Sequence, residues 1–317
     1  MSDTRRRFLR NAAALGAGLA GAAPALLAQR PERAAGRGPA DSIPDSEIKV
    51  PKVKFGKVEL SRFVLGSNPF NGGSHFNSIL SGMMREWYTP AKIIEVMRRC
   101  EKYGINVYNY SHHSSLLDDW ERFLGEGGHM HLVAQAVDAD PTELVKAIRP
   151  MGAWVQGERT DNAYRAGQMQ TIRDYCKKLR DLGVEMVGVG SHIPEVLALV
   201  EEQGWDVDFY AGCVYNRRRT EEELRKLMGG ELPEMPSEVY LQDDPPRMYK
   251  LFRQTKKPCV AFKIMGAGRA RSAEAAFKLA FQSIKPNDFV CVGLFPRIKD
   301  EVKENAYWTT RYGAIPS

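Results

Sequence analysis

Eight short apolar runs, alternating with amphipathic helical segments, limit the folds that this chain can adopt. The runs are residues 63–66, 106–109, 132–135, 153–156, 186–189, 209–214, 260–263 and 289–292. Between most of them, apolar residues recur every three or four positions, as in residues 91–102, 142–148, 166–182, 194–202 and 273–282. Short buried strands joined by crossover helices are typical of parallel sheets. Eight such units predict an α/β fold, a (β/α)8 TIM barrel, with an open doubly wound sheet as the alternative.

Two further segments modify the predicted barrel. Residues 48–61 contain Gly56 between two short alternating stretches, which predicts an N-terminal β-hairpin that covers the bottom of the barrel. Residues 217–253 form a long insertion after strand 6, with Gly229, Gly230 and several prolines. Loops of this length in a compact barrel are usually lids or binding elements, and an external ornament on the helices is the alternative. Residues 48–317 are therefore expected to form a single TIM-barrel domain.

The N-terminus has the pattern of an export signal. Residues 4–10 contain Arg5, Arg6 and Arg7, and an Ala/Gly/Leu stretch follows over residues 11–28. This pattern resembles a twin-arginine signal peptide, an address that the twin-arginine export machinery reads. The resemblance predicts a periplasmic or secreted protein that is exported folded, with residues 1–28 as the signal peptide. Residues 29–47, rich in Arg, Pro, Ala and Gly, are expected to form a flexible tether.

Charge and hydropathy exclude two kinds of partner. The chain has 45 Lys+Arg and 39 Asp+Glu, but part of this surplus lies in the arginines of the signal segment. The remaining chain is only mildly basic, so we expect no nucleic-acid partner. No later segment reaches the length of uncharged apolar sequence that spans a bilayer, so we expect no stable membrane insertion.

Several strands resemble those of the aldo-keto reductases. Residues 53–66 are similar to the opening hairpin and first strand of that family, and residues 104–109 to its second strand. Residues 188–196 resemble its fifth strand and the helix that follows, residues 214–219 the end of its sixth strand, and residues 292–305 its eighth strand and the next helix. The resemblance covers most of residues 53–305 in order. It implies a (β/α)8 barrel.

The resemblance does not extend to the reductase chemistry. Aldo-keto reductases reduce carbonyls with a nicotinamide and a tetrad of Asp, Tyr, Lys and His. Position by position, the tetrad falls on Asn109, on or near Ser114, on Gln135 and on Gln156. Losing a positioned proton donor removes about 10²- to 10⁴-fold of rate, so the sequence disfavours the ordinary reductase mechanism.

Polar residues at the predicted strand ends form the candidate site, because the active sites of barrel enzymes lie at that face. The residues predicted to bind substrate are Asn68, Asn109, Gln135, Gln156, Arg159, Asp161 and Asn216. The residues predicted to be catalytic are His112, His113, Glu158, His192 and Lys263.

Three hypotheses use these residues. In the first, His112, Glu158 and His192 are ligands of a divalent metal, with His113 as a further candidate; for the histidine pair, two solvated loop residues are the alternative. In the second, desolvation lowers the pKa of Lys263 toward nucleophilic or Schiff-base use, and pairing with a rim carboxylate is the alternative. In the third, Gly266, Gly268, Arg269, Gly293 and Arg297 hold a phosphate or nucleotide such as NADP, as the family uses its last two strand loops.

The combined interpretation is an exported barrel that acts on a small-molecule substrate. We expect an enzyme of lyase, isomerase or hydrolase type on a small polar, carbohydrate-like or hydroxy-carbonyl compound. A barrel with a non-catalytic ligand-binding role and an NADP-dependent oxidoreductase that retains its cofactor tightly are the two alternatives.

Overall fold

The computed structural model of the protein describes residues 38–111, 114–232 and 238–315. Within them, the chain from Pro39 onward belongs to one compact unit. The predicted signal peptide, most of the predicted tether and the His112–His113 pair lie outside the described residues. None of the helices in the described ranges is both long enough and apolar enough to cross a membrane.

A closed barrel of eight parallel strands forms the centre of the molecule. Its strands are β3 (Phe63–Gly66), β4 (Val107–Ser111), β5 (His131–Ala136), β6 (Gly152–Val155), β7 (Met186–Ser191), β8 (Phe209–Cys213), β9 (Cys259–Phe262) and β10 (Phe289–Gly293). β10 pairs with β3 and so closes the sheet, with Val290 opposite Phe63. The prediction of a TIM barrel is confirmed, and the open sheet is excluded.

Helices surround this barrel. They are α1 (Ser78–Trp87), α2 (Pro90–Lys102), α3 (Ser114–Gly125), α4 (Thr142–Ile148), α5 (Gly157–Arg165), α6 (Met169–Asp181), α7 (Pro194–Glu202), α8 (Glu221–Met228), α9 (Asp244–Gln254), α10 (Ala273–Ser283) and α11 (Glu301–Tyr312). Capping hydroxyls begin three of them: Thr89 accepts a hydrogen bond at the start of α2, Thr220 at the start of α8 and Ser272 at the start of α10.

The structure corrects two predicted elements. The predicted helix over residues 166–182 begins only at Met169, and a separate helix, α5, lies before it. The segment 217–253 is not all insertion, because its last part is α9, an ordinary barrel helix. Met248 and Phe252 of α9 are fully buried next to β8, where Gly212 leaves room for both side chains.

An antiparallel hairpin, β1 (Lys52–Phe55) and β2 (Val58–Ser61), closes the bottom of the barrel. Phe55 packs edge-on against Phe209 and Phe289, with ring centroids 5.1 and 5.5 Å away. Since these two residues begin β8 and β10, the hairpin lies at the amino ends of the strands, as predicted. The adjoining residues 39–47, assigned to the tether from sequence, contact the barrel: Ala40 is buried, and Asp45 accepts hydrogen bonds from Lys102 and Tyr103.

Trp154 forms a floor inside the barrel, below the carboxyl ends of the strands. A Cβ atom on Gly190 would lie 2.4 Å from the Trp154 ring, and one on Gly188 would lie 2.6 Å from the Phe209 ring. The two glycines of β7 therefore make room for these aromatic rings. Trp154 Nε1 donates a hydrogen bond to Asn109 Oδ1 at 2.9 Å, which satisfies both buried polar groups.

Candidate active site

Lys263 directly follows β9 and enters the site from the end of that strand. Its φ angle is 62°, in the left-handed region that a residue with a side chain seldom adopts, and such strain is often stored at functional sites. The side chain is half-buried, and no described residue forms a hydrogen bond or ion pair with its ammonium group. The predicted alternative, pairing with a rim carboxylate, is therefore not found among these residues.

The surroundings of Lys263 lower its pKa to about 8. Burial is the main cause, because a desolvated ammonium group is disfavoured relative to the neutral amine. The charges of Arg217 and Arg269 lower the pKa further, and Glu238 and Cys213 act in the opposite direction. A useful fraction of this amine is therefore neutral and nucleophilic near neutral pH.

His192 and Asp161 form a buried pair at the end of β7. His192 Nδ1 donates to Asp161 Oδ2 at 2.7 Å, and Asp161 Oδ1 accepts a second hydrogen bond from the Ser191 hydroxyl at 2.5 Å. Burial lowers the pKa of His192, although the hydrogen bond to Asp161 opposes this effect. The imidazole is therefore neutral near pH 7, with its proton on Nδ1 and its basic Nε2 free of any partner in the described chain.

An apolar surface connects His192 to the strand that carries Lys263. The His192 ring meets the Phe262 ring edge-on at 5.7 Å, and Phe262 lies 5.6 Å from the Trp154 floor. Phe262 and Cys291 point into the barrel but remain half-buried, so solvent reaches the interior on this side. The charges of Lys263 and His192 act on each other across this surface.

Glu238 joins three loops above the site. Its carboxylate accepts hydrogen bonds from His75 Nδ1 at 2.8 Å, from Tyr240 Oη at 2.5 Å and from Arg217. Burial raises the pKa of Glu238, but these donors and the charge of Lys263 outweigh it and hold the pKa well below the usual range. Asn68 Nδ2 in turn donates to His75 Nε2 at 3.2 Å. Of the residues in this network, Asn68 was predicted to bind substrate, whereas nothing in the sequence marked Glu238.

The loop after β9 was predicted to hold a phosphate through its backbone N–H groups. The N–H groups of Gly266, Gly268 and Arg269 instead bond to carbonyl groups of the same loop. The Arg269 guanidinium donates to the carbonyl oxygens of His75 and Gly266 and stacks 4.2 Å from the Tyr240 ring. These N–H groups do not fit a phosphate-binding loop, because each already donates to an acceptor within the protein.

The other residues of this predicted cofactor site are dispersed. A Cβ atom on Gly293 would lie 2.5 Å from Pro69, so this glycine is required for packing at the end of β10. Arg297 is exposed in the following loop.

The remaining predicted substrate residues have structural partners or lie to one side. Asn216 accepts from the Arg218 backbone, and its own N–H donates to Asp244. Arg159 donates to the Asp138 carbonyl and stacks on Tyr175. Gln156, Glu158 and Arg159 line an open cleft of about 540 Å³ along α5 and α6. Gln135 lies one residue before the end of β5, at the barrel mouth, and is half-buried.

The predicted metal ligands are not brought together within the described chain. No group of three or more His, Cys, Asp or Glu side chains in the residues that the structure covers could hold a metal ion. Glu158 pairs with Arg218 at 3.1 Å, and His192 is bound to Asp161. His112 and His113 lie outside the described residues, so the metal hypothesis stays a prediction.

Comparisons with known proteins bear on the fold. No protein-family model matches the chain, and no curated protein matches it. Among solved structures, one titled "Putative aldo-keto reductase", from Pseudomonas aeruginosa, is similar with a TM-score of 0.53 and 13% identity, over 82% of this chain and 94% of that one. A thermostable aldo-keto reductase in complex with epalrestat gives a TM-score of 0.39 and 12% identity, over 82% and 94%.

A solved structure with a different named activity is also similar. An N-acetylneuraminic acid synthetase from Leptospira borgpetersenii gives a TM-score of 0.47 and 9% identity, over 83% of this chain and 88% of that one. The likeness with a TM-score of 0.53 shows the fold alone, and at 13% identity it assigns no reaction.

Proposed function

We propose that the protein is an enzyme of lyase or isomerase type that acts on a small hydroxy-carbonyl substrate through a Schiff base on Lys263. The observation that carries this proposal is the unpaired amine of Lys263. The neighbouring cations Arg217 and Arg269 both have acceptors, whereas Lys263 has none in the described chain. An amine with a pKa of about 8 at a strand end is suited to attack a carbonyl carbon.

The proposed reaction begins with condensation. The neutral Nζ of Lys263 adds to the substrate carbonyl carbon, and the carbonyl oxygen leaves as water, taking one proton from the nitrogen and a second from solvent. The product is a cationic iminium, which acidifies the C–H bonds next to the former carbonyl. Loss of such a proton gives an enamine, and its return at either position, or cleavage of the adjacent carbon–carbon bond, leads to isomerisation or lyase chemistry.

His192 is the proposed base for the proton next to the carbonyl. Its Nε2 is unprotonated because Nδ1 holds the proton and donates to Asp161. Asp161 fixes the tautomer and stabilises the imidazolium that forms when Nε2 takes a proton, as carboxylate–histidine pairs do elsewhere. The amine and the base would thus have separate roles on one substrate.

The export that the sequence predicts would favour this chemistry over a nicotinamide reaction. The resemblance of residues 1–28 to a twin-arginine signal leads us to propose that the enzyme works outside the cytosol. A Schiff-base lysine needs no diffusible cofactor, whereas free nicotinamides are scarce there. Replacing Arg5, Arg6 and Arg7 with lysine should retain the protein in the cytosol, and unchanged export would contradict this part of the proposal.

Exchange of carbon-bound protons in deuterated water tests the function. The mature protein is incubated with hydroxyacetone or pyruvate, and loss of the proton signals beside the carbonyl is followed by NMR. We expect exchange with the wild type, loss of exchange with Lys263→Met and with His192→Gln, and no change with Lys256→Met, which alters an exposed lysine. Equal exchange rates for wild type and Lys263→Met would contradict the proposal.

A further inference from the structure

Hydrogen-bond donors exceed acceptors on the side of the site that Arg217 occupies. The Arg217 side chain is only 13% exposed and follows β8, next to the strand that leads to Lys263. One of its terminal nitrogens, Nη1, donates to Glu238, but Nε is buried and has no acceptor. A buried guanidinium with an unused donor is costly unless a further acceptor arrives.

Glu238 alone cannot accept all the hydrogen bonds that the donors on this side of the site can make. Its two carboxylate oxygens already receive hydrogen bonds from His75 and Tyr240 as well as from Arg217. In the described chain, neither Lys263 nor Arg269 has a carboxylate partner. The second carboxylate near the site, Asp161, is committed to His192 and Ser191.

The cations of this cluster also act on one another. The charges of Arg217 and Arg269 disfavour the ammonium form of Lys263, and those of Lys263 and Arg217 disfavour protonation of His75. An anion placed among these groups would relieve their repulsion and accept their unused hydrogen bonds.

We propose that the substrate carries a carboxylate next to its carbonyl group, and that Arg217 recognises this carboxylate. The planar guanidinium offers parallel N–H groups that match the two oxygens of a carboxylate. The substrate class is then a 2-oxo acid, with the carboxylate toward Arg217 and the carbonyl carbon toward Lys263. The placement of the carbonyl rests on the function proposed above, whereas the binding of the carboxylate does not.

Measuring ligand binding to a variant that cannot form a Schiff base tests this inference separately from the proposed reaction. The Lys263→Met variant cannot form a Schiff base, so calorimetry on it reports recognition alone. The probes are pyruvate and hydroxyacetone, which share a methyl ketone and differ in the carboxylate. We expect pyruvate to bind at least about tenfold more tightly, a difference of about 1.4 kcal/mol. Adding Arg217→Gln should abolish the preference, and adding Arg225→Gln, which alters an exposed arginine of α8, should preserve it.

Several results of this calorimetry would overturn the inference. Equal affinities for pyruvate and hydroxyacetone would do so, as would no binding of pyruvate up to about 10 mM. Tighter binding of sulfate or phosphate than of pyruvate would assign the site to a different anion.

The Arg217→Lys variant keeps the positive charge but lacks the planar guanidinium. It should retain the fold and part of the preference for pyruvate. A full preference in the Arg217→Gln protein would remove Arg217 from the site.

The failure of this inference is distinguishable from failure of the proposed function. If pyruvate is preferred through Arg217 but the wild type forms no Schiff base, the anion site stands and the proposed chemistry fails. If Lys263 condenses equally well with hydroxyacetone and pyruvate, the proposed chemistry stands and the carboxylate preference fails.

Discussion

His192 Nδ1 lies 2.7 Å from Asp161 Oδ2, and the carboxylate of Asp161 is completely buried. His192 follows β7, whereas Asp161 lies in the helix that follows β6, so the pair connects two consecutive units of the barrel. The backbone N–H of His192 also points at this carboxylate. The geometry fixes both the tautomer and the orientation of the imidazole.

Replacing this carboxylate should impair both proton transfer and folding. Asp161→Asn presents one amide N–H group toward donors that now bind a carboxylate. We expect proton exchange to fall by about 10²-fold, and the free energy of unfolding to fall by about 1–3 kcal/mol because buried donors lose their acceptor. Urea unfolding and the NMR exchange assay measure the two effects. Asp206→Asn, at a side chain that is 93% exposed, is the control, and equal effects in both variants would refute the role of Asp161.

The Lys263 amine should make the stability of the protein depend on pH. Folding lowers its pKa from 10.5 to about 8, so below pH 8 the folded state holds a charged, desolvated amine at a cost. This cost disappears as the pH rises from 8 toward the unfolded-state value of 10.5. We therefore expect Lys263→Met to be more stable than the wild type near pH 7, and expect the difference to shrink between pH 8 and 10.5.

Thermal unfolding across this pH range measures the effect. A gain of about 1 kcal/mol corresponds to a rise of about 2–4 °C in Tm for a domain of this size class. Lys256→Met, at an exposed lysine, is the control and should leave Tm unchanged. A Lys263→Met protein that is less stable than the wild type at neutral pH would contradict the described environment of this amine.

Glu301 provides a second titrating group, beside the loop after β10. Burial raises the pKa of its carboxyl to about 7, although the hydrogen bond from the Phe295 N–H lowers it. As the pH rises from 4.5 to 7, the unfolded chain ionises before the folded protein, so the wild type loses stability. Glu301→Gln should match the wild type below pH 4.5 and be more stable above pH 7.

Chemical denaturation at the two ends of this range tests the Glu301 prediction. Glu143→Gln, at a side chain that is 87% exposed, should show no comparable gain at high pH. If Glu301→Gln is destabilising throughout the range, its carboxylate is charged in the folded state and the expected environment is wrong.

Gly190 should be intolerant of a methyl group. Its Cβ atom would lie 2.4 Å from the Trp154 ring, closer than non-bonded atoms approach. We expect Gly190→Ala to cost about 1–3 kcal/mol through overpacking and to change tryptophan fluorescence as Trp154 leaves Asn109. Gly82→Ala is the control, because nothing lies within 4 Å of that added carbon in helix α1. The control should gain about 0.5–1 kcal/mol from reduced chain entropy, and equal behaviour would contradict the packing described.

The strands were predictable because each is a short apolar run bounded by polar or glycine-rich sequence. Helix α5 was missed because its buried face includes Thr160 and Asp161, so apolar residues do not mark its period. The last part of the segment 217–253 was misassigned because its prolines indicated a loop. Pro245 instead occupies the first turn of α9, where proline is tolerated.

The site was predictable in part. Strand-end placement identified Lys263, His192 and Asp161 individually, because side chains there face the barrel mouth. The contact of Glu238 with His75 joins residues 163 positions apart, and no local pattern predicts it. Arg269 was predicted to bind phosphate because it lies beside two glycines. Its guanidinium instead donates to the carbonyl oxygen of His75, which is distant in sequence, and stacks on the Tyr240 ring.

Chemical trapping of the Schiff base tests the central claim most directly. The wild-type protein is mixed with hydroxyacetone or, separately, with pyruvate, reduced with borohydride and digested, and the modified lysine is located by peptide mass spectrometry. We expect one predominant modification, on Lys263, that is absent from Lys263→Arg and unchanged in Lys256→Met. Modification spread over exposed lysines, with Lys263 no more reactive than the others, would contradict the account.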